Sequence, residues 1–390
     1  MTTISLETWL QPPHNRLSLH QVDRLVPHTA IASGQARRGL IRPHTQPNWS
    51  DHLVPLGCGR EAPLREFLEL TNTDAICVLH GDNVLYEDYF NGNKPESRHI
   101  AMSVSKSFCG MLAGVLVAEG RLDLSAETTA YLPELAGSSY GGSTVSQLLD
   151  MTATPDFDMT YTNPDSEVQA GDRSAGWRPR RDDDHEGTRA FLKSLRGSSD
   201  HGSVFQYCSA TTDVLAWVLE RAGAAPYARL LEDRIWKQIG AEDDALITVD
   251  EFGTPYACAG MSMRLDDLAR FGRLILDGGR RNGRQIIPEE WIRSTALGGT
   301  FDTTEDDELI PGSYKNQWWV PGDSNGSFYA VGIFGQYLWL DPSTDITIAK
   351  FSSEPTPLAH GIEHLNALHS IASRAAAWTG PSHQAEGRHR

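Results

Sequence analysis

The sequence predicts an α+β fold: an antiparallel sheet flanked by terminal helices, with a mostly α-helical inserted region. Three observations carry this. β-rich hairpins lie towards both ends of the chain, at 75–90 and 332–351. The long middle stretch reads as helices and polar turns. An almost wholly apolar helix at 104–119 follows the first hairpin, and a terminal helix at about 360–378 follows the second.

Each element has a local reason. Residues 1–60 are rich in Pro, His, Arg and Gly with weak periodicity, and Trp9-Leu10-Gln11-Pro12-Pro13-His14-Asn15 is expected to be an extended arm packed on the body. Residues 64–70 suit a short helix. Runs 75–79 and 84–90 are apolar and β-rich, and His80-Gly81-Asp82-Asn83 between them is a hairpin signal. In the helix at 104–119 most residues are small or good helix formers, and Gly120 supplies its stop. Short helical pieces follow at 131–135 and 144–149. Residues 152–187 are dense in Asp, Arg, Gly and Pro, and a loop of that length in a compact domain is usually functional or mobile. Its run Asp182-Asp183-Asp184-His185 resembles a metal cluster, yet consecutive residues do not converge on one ion, so a solvated turn is expected and no metal.

Helices are expected at 212–222, 226–240, 265–276 (ended by Asp277-Gly278-Gly279) and 291–296. The second hairpin pairs 332–340 with 346–351 around Asp341-Pro342-Ser343-Thr344-Asp345, whose proline suits a turn. Three segments result: an N-terminal arm, 1–60; an α/β sheet region, 61–120 with 262–390; and a mostly helical region, 121–261.

Composition narrows the partners. A net charge of −17 argues against nucleic acid, which needs a basic face. The five cysteines, Cys58, Cys77, Cys109, Cys208 and Cys258, are dispersed, odd in number and without metal-ligand spacing, which suits reduced thiols in the cytoplasm. Residues 1–10 carry neither a basic nor an apolar leader pattern, so no signal peptide is expected. No apolar run reaches the ~20 residues of a membrane span.

The chemistry begins at Ala101-Met102-Ser103-Val104-Ser105-Lys106-Ser107. Residues three apart on a helix share a face, so Ser103 and Lys106 can meet. A serine hydroxyl is a weak nucleophile until a neighbouring base takes its proton, and a buried lysine can serve. The helix N-terminus adds free N–H groups and a positive dipole end that suit an oxyanion. A lysine at the start of a core helix needs such a reason, because buried charge is costly. Tyr207 and Ser209 sit just before the helix expected at 212–222, where side chains can reach a cleft; taken alone, Tyr207 reads as a half-buried aromatic.

Ser103-x-x-Lys106, then Tyr207-x-Ser209, then a late Gly332 inside a hairpin resembles the serine β-lactamase-like family over roughly residues 70–355. That family contains class C β-lactamases, DD-peptidases and related esterases. The resemblance is sharper to its nylon-oligomer hydrolases. It rests on Met102 to Ser107, Ser166-Glu167-Val168-Gln169 with Asp172 to Trp177, Phe205 to Ala210, and Leu338-Trp339-Leu340-Asp341-Pro342. The resemblance implies a β-lactamase/transpeptidase-like fold. Ser103 is then the nucleophile, Lys106 its base, and Tyr207 the third member that helps protonate the leaving group. The N–H groups of Ser103 and Ile333 form the oxyanion hole. Tyr161, Asp172 and Trp177 surround the substrate; Asp172 pairs with its ammonium end, and Trp177 covers the cleft as part of a substrate-covering loop, 152–187. It implies a homodimer and no metal or organic cofactor.

Two positions depart from the family. Its third motif, Lys-Thr-Gly or His/Trp-x-Gly, reads Ala330-Val331-Gly332, and loss of the cation argues against β-lactamase or DD-peptidase activity. Cys258 stands where the nylon-oligomer hydrolases have Asn or His, and cysteine is the weaker hydrogen-bonding partner. The expected function is a serine hydrolase that cleaves short linear amides of the aminohexanoate type through an acyl-enzyme, with carboxylesterase activity alongside. The alternatives are a promiscuous carboxylesterase with little amidase activity, or a non-catalytic binding protein on the same fold. A binder has no need of Ser103, Lys106 and Tyr207 together.

Overall fold

The computed structural model describes residues 4–197, 200–301 and 312–378. Its centre is a seven-stranded sheet in the order Ser313–Lys315, Trp318–Val320, Phe328–Gly332, Gln336–Asp341, Ile346–Ser352, Thr73–His80, Asn83–Tyr89. Every neighbouring pair is antiparallel. The two hairpins read from the sequence thus meet edge to edge, with Ile348 opposite Val78 and Ala349 opposite Cys77.

Period-2 alternation splits each central strand between two cores. Ile76, Val78, Ile346 and Ile348 face Phe67, Leu365 and Leu368 of the helices Leu64–Leu70 and Gly361–Ala376. Cys77, Leu79, Ala349 and Phe351 face the other side, with Phe108 of helix Val104–Ala118 and Phe271 of helix Leu265–Leu276. Those two rings stack at 3.8 Å between centroids. Burial on both faces explains why the strands read as continuous apolar runs.

Several expectations need correction. The helix expected at 212–222 begins three residues earlier and spans Ser209–Gly223, which puts Ser209 on its first turn. The stretch 226–240 is helical but passes through a π-helical segment, Glu232–Trp236. The stretch 332–340 is not one strand. Gly332 ends one strand, Ile333-Phe334-Gly335 turn, and the next begins at Gln336; Phe334 (φ +65°) and Gly335 (φ +87°) make the reversal. Residues 152–187 are not a plain loop either. They hold the helix Glu167–Ser174, capped by the Ser166 side chain accepting from the Gln169 N–H. Within the acidic run, Asp182 and Asp183 are exposed, but Asp184 is ion-paired with Arg173 at 2.8 Å.

Residues 9–15 are not extended but run through turns into a helix, and the described residues up to 60 hold further elements. The segment contains helix Asn15–Ser18, strand His28–Ile31 and strand Leu53–Gly57. Trp9 is fully buried, and its indole N–H donates to the Trp177 carbonyl at 2.7 Å. A large aromatic surface with one polar handle favours this kind of docking. Strand His28–Ile31 also edges a second sheet, in the order His28–Ile31, Ala245–Thr248, Met261–Arg264, Arg98–Ile100. That sheet leads the chain into the helix at Val104.

The core helix packs closely against the Asn316-Gln317 turn. A Cβ added at Gly110 would lie 2.0 Å from the Asn316 carbonyl oxygen. In an exposed helix, Gly to Ala gains about 1 kcal/mol. Here the clash outweighs that gain, since overpacking costs about 1–3 kcal/mol. Gly110→Ala is therefore expected to lower the melting temperature by a few degrees. An unchanged or higher melting temperature would show that the helix and the turn are not in this contact.

Candidate active site

Strand Arg98–Ile100 runs into helix Val104–Ala118 through a sharp turn. Ala101 donates its N–H to the Met261 carbonyl at 2.7 Å, which ties the turn to the second sheet. Met102 is fully buried with φ +48°, in the left-handed region. For a residue with a Cβ that conformation costs roughly 1–2 kcal/mol. The strained turn presents Ser103 at the helix N-terminus, 8% exposed and on the wall of a cavity of about 470 Å³.

Lys106, one turn along, is 1% exposed. Its ammonium donates to Ser103 Oγ at 2.9 Å, to Ser209 Oγ at 3.2 Å and to the Cys258 carbonyl at 2.9 Å. All three N–H donors are used, which is what a buried ammonium requires. The Tyr207 ring lies against Lys106, its centroid 5.2 Å from Nζ, and packs on Trp319 at 5.5 Å. Burial pulls the Lys106 amine down, but Tyr207, Cys258 and Asp213 outweigh it and hold the amine above its ordinary value.

Asp213 was invisible as a site residue. It lies one turn beyond Ser209 on the same helix and is 6% exposed. Its Oδ1 accepts the Cys258 N–H at 2.9 Å. Burial pushes its carboxyl up to about 7. The sequence did hold a signal: an acid on the buried face of an apolar helix, four residues after Ser209. The Cys258 peptide is therefore held at its N–H by Asp213, while its carbonyl holds Lys106.

The strand Phe328–Gly332 ends directly against the nucleophile. A Cβ at Gly332 would lie 2.6 Å from the Ala101 carbonyl oxygen and 2.9 Å from the Ser103 nitrogen. Only glycine permits this approach, which brings Ile333 to the cavity wall beside Ser103.

Of the expected residues, Ser103, Tyr161, Asp172, Trp177, Cys258 and Ile333 line this one cavity, with Lys106 bonded to Ser103 and the Tyr207 ring against Lys106. Two of them differ from expectation in state. Asp172 is already paired: it accepts from Arg178 Nε at 2.9 Å and from the Tyr256 hydroxyl at 3.0 Å. Burial raises its carboxyl while Arg178 opposes the rise. Trp177 is a locked part of the wall. It is 2% exposed, in edge contact with Trp9 and Tyr256, and its indole N–H donates to Thr248 Oγ1 at 2.9 Å. Sequence reasoning also missed Arg178, and the wall segments Leu10-Gln11-Pro12 and Pro355-Thr356-Pro357. Among the described residues, no group of His, Cys, Asp or Glu is arranged to hold a metal ion, and no helix is long and apolar enough to cross a membrane.

The sequence matches the model of the β-lactamase family over residues 65–372. It is 44% identical over 357 residues to the 6-aminohexanoate-dimer hydrolase of Paenarthrobacter ureafaciens, covering 90% of this chain and 89% of that protein. Among solved structures, a Bacillus anthracis protein provisionally assigned as a 6-aminohexanoate-dimer hydrolase superposes with a TM-score of 0.85 at 30% identity, over 95% of this chain and 96% of that one. A family VIII carboxylesterase, 14% identical, shares the fold with a TM-score of 0.59 over 78% of this chain and 96% of its own. The serine–lysine pair at the head of a buried helix and a family match spanning both hairpins agree: this chain is a member of the β-lactamase family of serine hydrolases, with its β-lactamase/transpeptidase-like α+β fold.

Proposed function

We propose that this protein hydrolyses short linear amides of the 6-aminohexanoate-dimer type through an acyl-enzyme on Ser103, with carboxylesterase activity alongside. The observation that carries the reading is the Lys106 ammonium bonded to Ser103 Oγ, 2.9 Å away, with the Tyr207 ring against that ammonium. Lys106 and Tyr207 act as one unit that takes the Ser103 proton as Oγ attacks the carbonyl. The Ser103 and Ile333 N–H groups receive the oxyanion, at the helix end whose dipole favours negative charge. The same proton returns through Tyr207 to the leaving nitrogen or oxygen. Water then repeats the sequence on the ester of Ser103. The reading needs no cofactor.

Tyr161, Asp172 and Trp177 enclose the substrate. A substrate ammonium reaching Asp172 joins a carboxylate already bonded to Arg178, so charge selection is weaker than at a bare acid. The segments 1–60 and 152–187 enclose the cleft, the sheet region 61–120 with 262–390 supplies Ser103, Lys106 and Ile333, and the helical region 121–261 supplies Tyr207 and Cys258. Five free thiols, four of them buried, support a cytoplasmic setting. The resemblance to the nylon-oligomer hydrolases supports a homodimer.

A second reading, a carboxylesterase with little amidase activity, is favoured by one observation. Cys258 lines the cavity, and a thiol gives the substrate only a weak hydrogen bond. Amides need that help more than esters, because an amine is the poorer leaving group.

The linear 6-aminohexanoate dimer and a p-nitrophenyl ester, assayed side by side, test both readings. The parent is expected to turn over both, and Ser103→Ala to lose both activities by about a thousandfold or more with its melting temperature unchanged. Substantial turnover by folded Ser103→Ala would overturn the assignment, and no turnover of either substrate by the parent would favour a binding protein. Cys258→Asn restores a donor and an acceptor at the cleft. It is expected to raise the ratio of amide to ester turnover by up to about tenfold, the value of one hydrogen bond made in the transition state. A flat or falling ratio in a folded variant would show that position 258 does not choose between the substrates.

A further inference from the structure

Behind the Ile333-Phe334-Gly335 turn the structure buries a polar cluster that takes no part in the chemistry at Ser103. Glu354 is 2% exposed, His364 1% and Lys350 0%. Burying charges in this way rarely gains stability over apolar packing of the same shape. Its placement suggests what it is for.

The turn's hydrogen bonds run to the end of strand Ile346–Ser352 and to the segment after it. Phe334, in the left-handed region, donates its N–H to the Pro357 carbonyl at 3.0 Å, and its own carbonyl accepts the Glu354 N–H at 3.2 Å. Gln336 Nε2 donates to the Ile333 carbonyl at 3.1 Å and to the Ser352 carbonyl at 2.8 Å, while its Oε1 accepts the Ser352 N–H at 3.1 Å. The contact leaves no slack: a Cβ at Gly335 would lie 2.9 Å from Ser352 Cβ and 3.2 Å from Glu354 Cδ.

That clamp is in turn anchored through the Glu354 side chain. Its Oε1 lies 2.9 Å from both His360 Nδ1 and His364 Nε2, at the start of helix Gly361–Ala376. Asn15 Nδ2 donates to the Glu354 carbonyl at 2.6 Å, and Lys350 donates to Ser352 Oγ. Burial works to raise the Glu354 carboxyl, but His364, Lys350 and His360 hold it below its ordinary value, so it stays ionised. Burial pulls His364 down to about 4, so it donates to Glu354 as a neutral imidazole.

We infer that Glu354, braced by His360 and His364, is a positioning residue for catalysis: it fixes the turn that aims the Ile333 N–H at the oxyanion. The inference rests on the reading of Ile333 as an oxyanion donor. A carboxylate that bridges the C-terminal helix to this turn sets how rigidly the donor is held. Catalytic donors lose their value when their supporting contacts are loose.

The test is Glu354→Gln, which keeps the shape and removes the charge, with His360→Ala at the half-exposed partner as a milder second variant. Turnover of a p-nitrophenyl ester and inhibition by an arylboronic acid, which forms a tetrahedral adduct on serine, are measured with a melting curve. Glu354→Gln is expected to lower kcat about tenfold with KM little changed, and to weaken boronate binding by the same factor; His360→Ala should move both in the same direction by less. If Glu354→Gln fails to fold, His360→Ala decides alone by that criterion. A folded variant with altered melting but parental kcat and boronate affinity would overturn the inference and leave the active-site reading standing. Failure of that reading looks different: the parent would then bind the boronate no better than Ser103→Ala does, and both would fall together.

Discussion

A buried ammonium with three fixed acceptors organises this molecule. Lys106 lies where a charge is costly, and it is tolerated because Ser103, Ser209 and the Cys258 carbonyl each present an oxygen to it. The three belong to separate parts of the chain: the core helix, the helix Ser209–Gly223 and the segment before strand Met261–Arg264. If any one of them shifts, a donor is left unpaired. The fold must therefore bring all three together, and Asp213 secures the third by holding the Cys258 peptide from behind.

The two sheets serve this convergence from opposite sides. The small sheet delivers the chain to Met102 and supplies, through Met261, the bond that fixes the turn before Ser103. The large sheet brings Gly332 against the same turn, closer than any side chain would allow. Trp9 and Trp177 close one wall by packing on each other, which couples the first residues of the chain to the helical region. The cavity is thus assembled mainly from rigid elements and buried aromatics. Two of the non-glycine residues with positive φ, Met102 and Phe334, fall where Ser103 and its neighbouring turn are aimed.

Much of this was legible before any coordinates. Helices Leu64–Leu70 and Leu265–Leu276 fall on the residues expected of them, and the core helix ends at Ala118, one residue short of the expected 119. Those signals are local. The small sheet was not legible, because Arg98–Ile100 and Met261–Arg264 are three and four residues long and carry Arg, His, Met and Ser. Only pairing with distant partners makes them strands. The run from Gly332 to Leu340 hid a turn because Ile333 and Phe334 are as apolar as the strands on either side. At the site, Ser103 and Lys106 were legible from spacing on one helix. Asp213 and the Arg178 partner of Asp172 were not, since their roles depend on residues 45 and six positions away, brought close by the fold.

The central claim is that the Lys106-bonded hydroxyl of Ser103 is the group that becomes acylated. The direct measurement is to mix the protein with a p-nitrophenyl ester, quench with acid during turnover, digest, and locate the acyl group by mass spectrometry. The account predicts one acylated peptide, containing Ser103, with the adduct on the serine oxygen and absent from Lys106→Ala. Turnover with the acyl group on another residue, on the Cys258 thiol for instance, or with no acyl group on the protein at all, would contradict it.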